Sequence, residues 1–179
     1  MKYFAYGSNM CSPLLKDRVP SAEKYAIAAL KGHVLKFHKI SKKDGSGKCD
    51  AFETKSPEDI VYGVLFEISV NEKQFLDRIE GLGDGYEEKY VYVNLLDEER
   101  GIRAFTYYAT KIDDSLKPYD WYKDFVVSGA REHNLPKVYI KLLEREESID
   151  DSDKSRVDKN RAFLKQNNYN TINFGRESD

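Results

Sequence analysis

Two places in the chain combine residue types and spacing that could do chemistry. The first is Tyr6-Gly7-Ser8-Asn9-Met10. It lies between an apolar run at residues 2–6, which reads as a strand, and Cys11-Ser12-Pro13. There Ser12 suits an N-cap and Pro13 the first helical position. Such a strand–loop–helix junction turns the backbone N–H groups of Gly7, Ser8, Asn9 and Met10, and the positive helix end, towards one point. That arrangement suits an anion or a developing oxyanion. Gly7 lets the backbone turn tightly and approach a ligand. The second place is Glu80, the last residue before Gly81 in a predicted helix. A helix C-terminus disfavours negative charge, so a carboxyl placed there is suited to exchanging a proton as a general acid or base.

Other chemistries find less support. Ser8 on a strand-to-helix turn could be a hydrolase nucleophile. The turn lacks the GxSxG pattern, however, and His33, His38 and His133 show no sequence pairing with an Asp. Cys11 reads as a small buried thiol at a helix start. Gly81-Leu82-Gly83-Asp84-Gly85 follows a helix and has no Lys, which argues against a phosphate-binding loop and for a flap beside a pocket. No metal-ligand cluster is visible. Cys11 and Cys49 form neither a CxxC pair nor a zinc spacing, and two such cysteines fit a reducing, cytoplasmic setting.

The elements that must position these residues follow from pattern. After a helix at about 12–18, strands are predicted at 25–30, 33–41 and 60–68, with a polar turn at 42–48. Residues 51–53 are too few to assign alone. Ser69-Val70-Asn71-Glu72 reads as a capping box for a helix ending at Glu80, with Gly81 as its stop. A hairpin is predicted from 86–96 and 102–110 around Asp97-Glu98-Glu99-Arg100-Gly101. Pro118 and Pro136 open two further helices, to about Glu132 and Arg145. The order β-α-β-β-β-α-β-β-α-α, with hairpin-type links, argues for an α+β fold with a largely antiparallel or mixed sheet. The 179 residues suit one domain with a tail. Residues 1–147 form the domain and residues 148–179 a charged extension. That extension includes one amphipathic helix at about 156–165, a mobile remainder, and nothing the chemistry requires. The net charge of −2 gives no footprint for nucleic acid. No apolar run approaches a membrane span, and the N-terminus enters a strand without a signal peptide.

Tyr6-Gly7-Ser8-Asn9 resembles the YGSN loop of the γ-glutamylcyclotransferase family, which includes the AIG2-like proteins. Leu76-Asp77-Arg78-Ile79-Glu80-Gly81, followed by Gly85-Tyr86, resembles the segment bearing that family's catalytic glutamate. The stretch from Tyr122 to Glu132, then Leu135-Pro136 and Tyr139, resembles its C-terminal helical segment. These blocks occur in family order, and the match runs from residue 2 to about 144.

The resemblance implies a small barrel flanked by helices and a cyclotransferase acting on a small-molecule γ-glutamyl substrate. In that reaction the substrate's α-amine attacks its own γ-carbonyl, releasing 5-oxoproline and an amino acid or amine. Glu80 is the implied general acid/base. Tyr6, Gly7, Ser8, Asn9, Met10, Tyr86, Tyr107 and Tyr122 are the implied substrate-binding residues. The reaction needs no metal or organic cofactor. Some members are dimers, so a homodimer is also implied. Two alternatives stay open. One is a cyclotransferase for a γ-glutamylated amine or biosynthetic intermediate, and the other is a non-catalytic small-molecule-binding protein on the same fold.

Overall fold

The computed structural model describes residues 1–96 and 100–174; Asp97, Glu98 and Glu99 of the predicted hairpin turn and residues 175–179 lie outside them. Among the described residues seven strands form, and five of them close a barrel. Strand β1 (Lys2–Ala5) pairs antiparallel with β5 (Ile60–Glu67), β5 with β2 (Glu23–Lys31), β2 with β6 (Tyr86–Leu95), and β6 with β7 (Gly101–Ala109). A parallel bridge between Tyr3 and Phe105 closes the ring. The β-branched and aromatic content of β1, β5 and β7 supplies the core. Phe4, Phe66 and Phe105 are fully buried, each stabilising the fold by roughly 1.5–3 kcal/mol through removal of apolar surface from water.

The remaining strands, β3 (His33–Ile40) and β4 (Gly47–Glu53), form a separate two-stranded sheet. Pattern reading placed Gly47 and Lys48 in a polar turn and left residues 51–53 unassigned, so β4 was not recognised as a strand; Gly47, Lys48 and Asp50 interrupt any apolar alternation. The structure explains the composition. A Cβ at Gly47 would lie 1.9 Å from the Phe37 carbonyl oxygen, and the side chains of Lys48 and Asp50 meet internal partners, Asp44 and Ser46 for the first and His38 and the Ala109 N–H for the second.

Helix α1 (Ser12–Arg18) is entered through a 3-10 turn at Ser8–Met10. Its N-cap is Cys11, one residue before the predicted Ser12, and no side chain caps it. The Ser12 hydroxyl lies 3.0 Å from His133 Nε2 instead. Helix α2 (Val70–Glu80) has Ser69 as N-cap, accepting from the Asn71 N–H at 3.3 Å. The reciprocal half of the capping box does not form. The Glu72 carboxylate accepts from the N–H and hydroxyl of Ser21, at 3.0 and 2.5 Å, so α2 is tied to the start of β2. Gly81 ends α2 at φ +76°, a left-handed position that favours glycine.

Helices α3 (Asp120–Glu132) and α4 (Lys137–Arg145) cover one side of the barrel. Helix α5 (Lys154–Phe174) is longer than the predicted 156–165, and residues 166–174, expected to be mobile, lie within it. The segment leading into α5 is not a solvated linker. Ile149 exchanges backbone hydrogen bonds with Pro118 and Asp120. The buried Asp151 carboxylate accepts from Trp121 Nε1 at 2.9 Å and from Arg156 Nε at 2.6 Å. Phe163 packs on Phe125 of α3 with ring centroids 5.9 Å apart. Among the described residues, no helix is long and apolar enough to cross a membrane.

Candidate active site

The loop at the end of β1 and the C-terminus of α2 meet over the mouth of the barrel. Glu80 sits there half-buried. Its Oε1 accepts from Asn9 Nδ2 at 2.9 Å and from Arg18 at 3.4 Å. Arg18 also donates to Asn9 Oδ1 at 2.6 Å, and Asn9 Nδ2 lies 2.9 Å from the Tyr3 hydroxyl. The guanidinium offsets the unfavourable helix-end position of the carboxylate. Arg18 was not legible in the sequence, since a basic residue in the last turn of a helix is the ordinary choice there.

Behind Glu80 lies a cavity of about 30 Å³, room for about one water molecule. It brings together Glu80, Gly7, Ser8 and Asn9 with Tyr6, Tyr86, Tyr107 and Tyr122, and adds Tyr3 and Cys49, which pattern reading did not single out. The phenols form its wall, but their hydroxyls are committed to the protein. Tyr6 donates to the Tyr107 carbonyl at 2.6 Å, Tyr107 to Asp77 Oδ1 at 2.6 Å, and Tyr86 to the Cys49 carbonyl. Tyr122 accepts from the Cys49 N–H at 3.2 Å. Burial raises the proton affinity of all four phenols, and the bond to Asp77 adds to the effect at Tyr107. They stay neutral at physiological pH. Burial also pushes the Cys49 thiol up to about 12, so it is no nucleophile.

Met10 is the exception among the predicted binding residues. Its side chain is in the core, its N–H closes the 3-10 turn onto the Gly7 carbonyl at 3.0 Å, and its carbonyl accepts from His133 Nε2 at 2.9 Å. It has no donor left for a ligand. The N–H groups of Ser8 and Asn9 open the turn, and the bonds that close it come from Met10 and Cys11. They are the donors the turn leaves over. Gly7 has φ −113°, so it is required for close approach rather than for backbone freedom. A Cβ there would lie 3.0 Å from Cys49 Cβ, so the loop packs on β4. Gly129 of α3 was also missed. A Cβ at that position would lie 2.4 Å from both the Cys11 N and the Met10 carbonyl carbon, so α3 supports the turn from behind by direct backbone contact.

His133 must carry its proton on Nε2 to donate to the Met10 carbonyl, so it cannot serve Ser12 as a base. His38 does pair with carboxylates, Nε2 lying 3.0 Å from Asp50 and Nδ1 2.8 Å from Asp114. It does not line the cavity. Among the described residues, no group of three or more His, Cys, Asp or Glu is placed to hold a metal.

A vestibule of about 420 Å³ opens outside the cavity and shares Ser8, Glu80, Tyr86 and Tyr122 with it. Its walls carry Lys39, Lys42, Lys43, Lys48 and Arg78 from the β3–β4 sheet, its turn and α2. A larger groove of about 760 Å³ between α3 and α5 lies apart from Glu80 and the loop.

This arrangement has counterparts among known proteins. The model of the AIG2-like family matches residues 60–143. The chain is 33% identical over 145 residues to a bovine γ-glutamylcyclotransferase, covering 79% of this chain and 76% of the bovine protein. It is 32% identical over 155 residues to the human γ-glutamylcyclotransferase, covering 83% and 79%. A solved γ-glutamyl cyclotransferase superposes with a TM-score of 0.78 at 29% identity, covering 85% of this chain and 90% of the other. The fold is therefore that of the γ-glutamyl cyclotransferases, an α+β barrel with flanking helices. The chain belongs to the γ-glutamylcyclotransferase family and is an enzyme of that kind.

Proposed function

We propose that this enzyme converts a γ-glutamyl amide to 5-oxoproline and a free amine, with Glu80 carrying the protons. The observation that supports this most is the position of Glu80. Its carboxylate stands between the tyrosine-walled cavity and the open vestibule, held at one oxygen by Asn9 and Arg18. The other oxygen is available for proton transfer.

The substrate brings its own nucleophile. Holding the γ-glutamyl chain folded places the α-amine against the γ-carbonyl, and such tethered attack has a large effective molarity. Glu80 takes one proton from the α-ammonium, freeing the amine. The nitrogen attacks the γ-carbon, a ring C–N bond forms, and charge develops on the carbonyl oxygen. The N–H groups of Ser8 and Asn9 are the donors for that oxygen or for the α-carboxylate. The exocyclic C–N bond then breaks. The leaving nitrogen takes up the proton held by Glu80, and the ring nitrogen gives up its second proton by the same route. The products are 5-oxoproline and an ammonium. No step calls for a metal or organic cofactor.

On this reading residues 1–147 are the catalytic unit and residues 148–179 an extension, which packs on that unit through Ile149, Asp151 and Phe163. The two buried free thiols fit the cytoplasm. The homodimer that the resemblance implies is tested by sedimentation of the purified chain. The reaction is tested with a panel of γ-glutamyl amino acids and γ-glutamyl amines, measuring 5-oxoproline release. Turnover of at least one class is expected. Binding of 5-oxoproline with no turnover of any member would replace this reading with a non-catalytic one.

A further inference from the structure

Strands β3 and β4 place Lys39 directly opposite Lys48. Like charges facing each other across an antiparallel pair are destabilising. Lys48 is compensated. Its ammonium donates to Asp44 at 2.9 Å and to Ser46 Oγ at 2.8 Å, and lies over the rings of Tyr122 and Trp121 at 4.4 and 4.9 Å. Lys39 is not. It is only 8% exposed, yet its ammonium makes no ion pair or hydrogen bond among the described residues. Its one charge-related contact is the Tyr86 ring, 4.6 Å from Nζ.

The Lys39 stem is buried while its ammonium reaches the vestibule, so its three donors are open to a ligand there. Burial accordingly weakens the hold of Lys39 on its proton, opposed chiefly by the fields of Glu80 and Asp84. Asp84 is already engaged by Lys42 and Lys111, and Glu80 by Arg18 and Asn9. Lys39 is thus a cation without an ion-pair partner among the described residues, facing the vestibule on the same wall as Tyr86 and close enough to Glu80 to feel its charge.

We propose that Lys39 is the specificity-determining residue for the leaving group, its ammonium binding a carboxylate carried next to the leaving nitrogen. The preferred substrates are then γ-glutamyl amino acids, or peptides with such a carboxylate, over γ-glutamyl amines that lack one. This rests on the cyclotransferase reading above. With the γ-glutamyl moiety at Glu80, the leaving nitrogen points out into the vestibule, where Lys39 forms part of the wall. Lys43 and Arg78, also without carboxylate partners among the described residues, extend the positive field outward.

The test is a matched substrate pair, γ-glutamyl-alanine and γ-glutamyl-ethylamine, which differ only by the carboxylate. The wild-type chain is expected to favour the alanine compound in kcat/KM by about 10- to 100-fold, the scale of a charge-assisted hydrogen bond in a partly desolvated site. In Lys39→Met that ratio should collapse towards unity, mainly through KM for the alanine compound. Lys39→Arg should retain most of it. Equal losses on both substrates in Lys39→Met, or no preference in the wild-type chain, would overturn the proposal. Calorimetric binding of both compounds in a Glu80→Gln background separates this proposal from the cyclotransferase reading. A carboxylate preference that disappears when Lys39→Met is added supports the role of Lys39 even if neither compound is turned over. Turnover of both compounds with no binding preference leaves the reaction standing and removes the role of Lys39.

Discussion

Asn9 Nδ2 lies 2.9 Å from Glu80 Oε1 and 2.9 Å from the Tyr3 hydroxyl, so one buried amide joins the loop after β1 to the last residue of α2. The two partners are 71 positions apart in sequence. The bond fixes the direction of the carboxylate without using its second oxygen. It also defines what a substitution at Glu80 would remove.

Glu80→Gln keeps an oxygen for Asn9 and removes only the ability to carry a proton. Turnover is expected to fall by the ~10²–10⁴-fold associated with losing a general base. The melting temperature should change little. The lost ion pair with Arg18 is long and partly exposed and so worth little, and a charge opposed by the helix end disappears with it. Glu53 faces Lys89, Glu88 faces Lys73, and Glu87 is their neighbour on β6. Gln at any of these three should leave turnover within a few-fold. Near-normal turnover in Glu80→Gln, or a matching loss at one of the three, would remove Glu80 from its role.

Gly129→Ala tests whether α3 sets the position of the loop. The added methyl would meet backbone atoms of Met10 and Cys11 at 2.4 Å, and backbone cannot rotate away as a side chain can. Overpacking of this kind costs about 1–3 kcal/mol, which lowers the melting temperature by roughly 2–10 °C in a domain of this size. Turnover by the folded fraction should drop at least ~10-fold, because the N–H groups of Ser8 and Asn9 move with the turn. A stable variant with unchanged kcat would show that the contact is only packing.

Asp151 gives a pH test with a definite sign. The Arg156 guanidinium, aided by the Asp153 N–H and Trp121 Nε1, holds its carboxyl well below the usual carboxylate range. A group depressed in the folded state stabilises above its unfolded pKa, about 3.9, and loses that contribution as pH falls through the folded value. Asp151→Asn should therefore melt lower than the wild-type chain at pH 7, and the gap should narrow from about pH 4 downward. A gap that stays constant between pH 7 and pH 2 would assign the effect to packing rather than to charge.

What could be read from the sequence was what is local. Ser69 and Gly81 mark the ends of α2 because a cap acts within one turn, and Glu80 takes its place from Gly81. The apolar runs of β1 and β5 needed no partner to be recognised. Ser12 was misplaced as an N-cap because its hydroxyl is drawn to His133, 121 positions away. Met10 looked like a donor because nothing in the sequence shows that the loop closes as a 3-10 turn and spends that N–H. Arg18, Lys39 and Gly129 were invisible for the same reason. Each is unremarked in its own element and acquires meaning only from a neighbour brought in by the fold. Asp151 lay in a run of charges that reads as solvated linker, yet it is buried against Trp121.

Cys49 gives the small β3–β4 sheet a mechanical connection to the barrel mouth. Its N–H and its carbonyl are each clasped by a phenol of the cavity wall, Tyr122 on one side and Tyr86 on the other. Its neighbour Lys48 is paired in register with Lys39. The residue whose ammonium faces the vestibule and the backbone that holds both rings therefore lie one rung of the ladder apart. The outer sheet and the inner wall share that rung, so a slip in the register of β3 against β4 would separate Lys39 from the backbone that anchors Tyr86 and Tyr122.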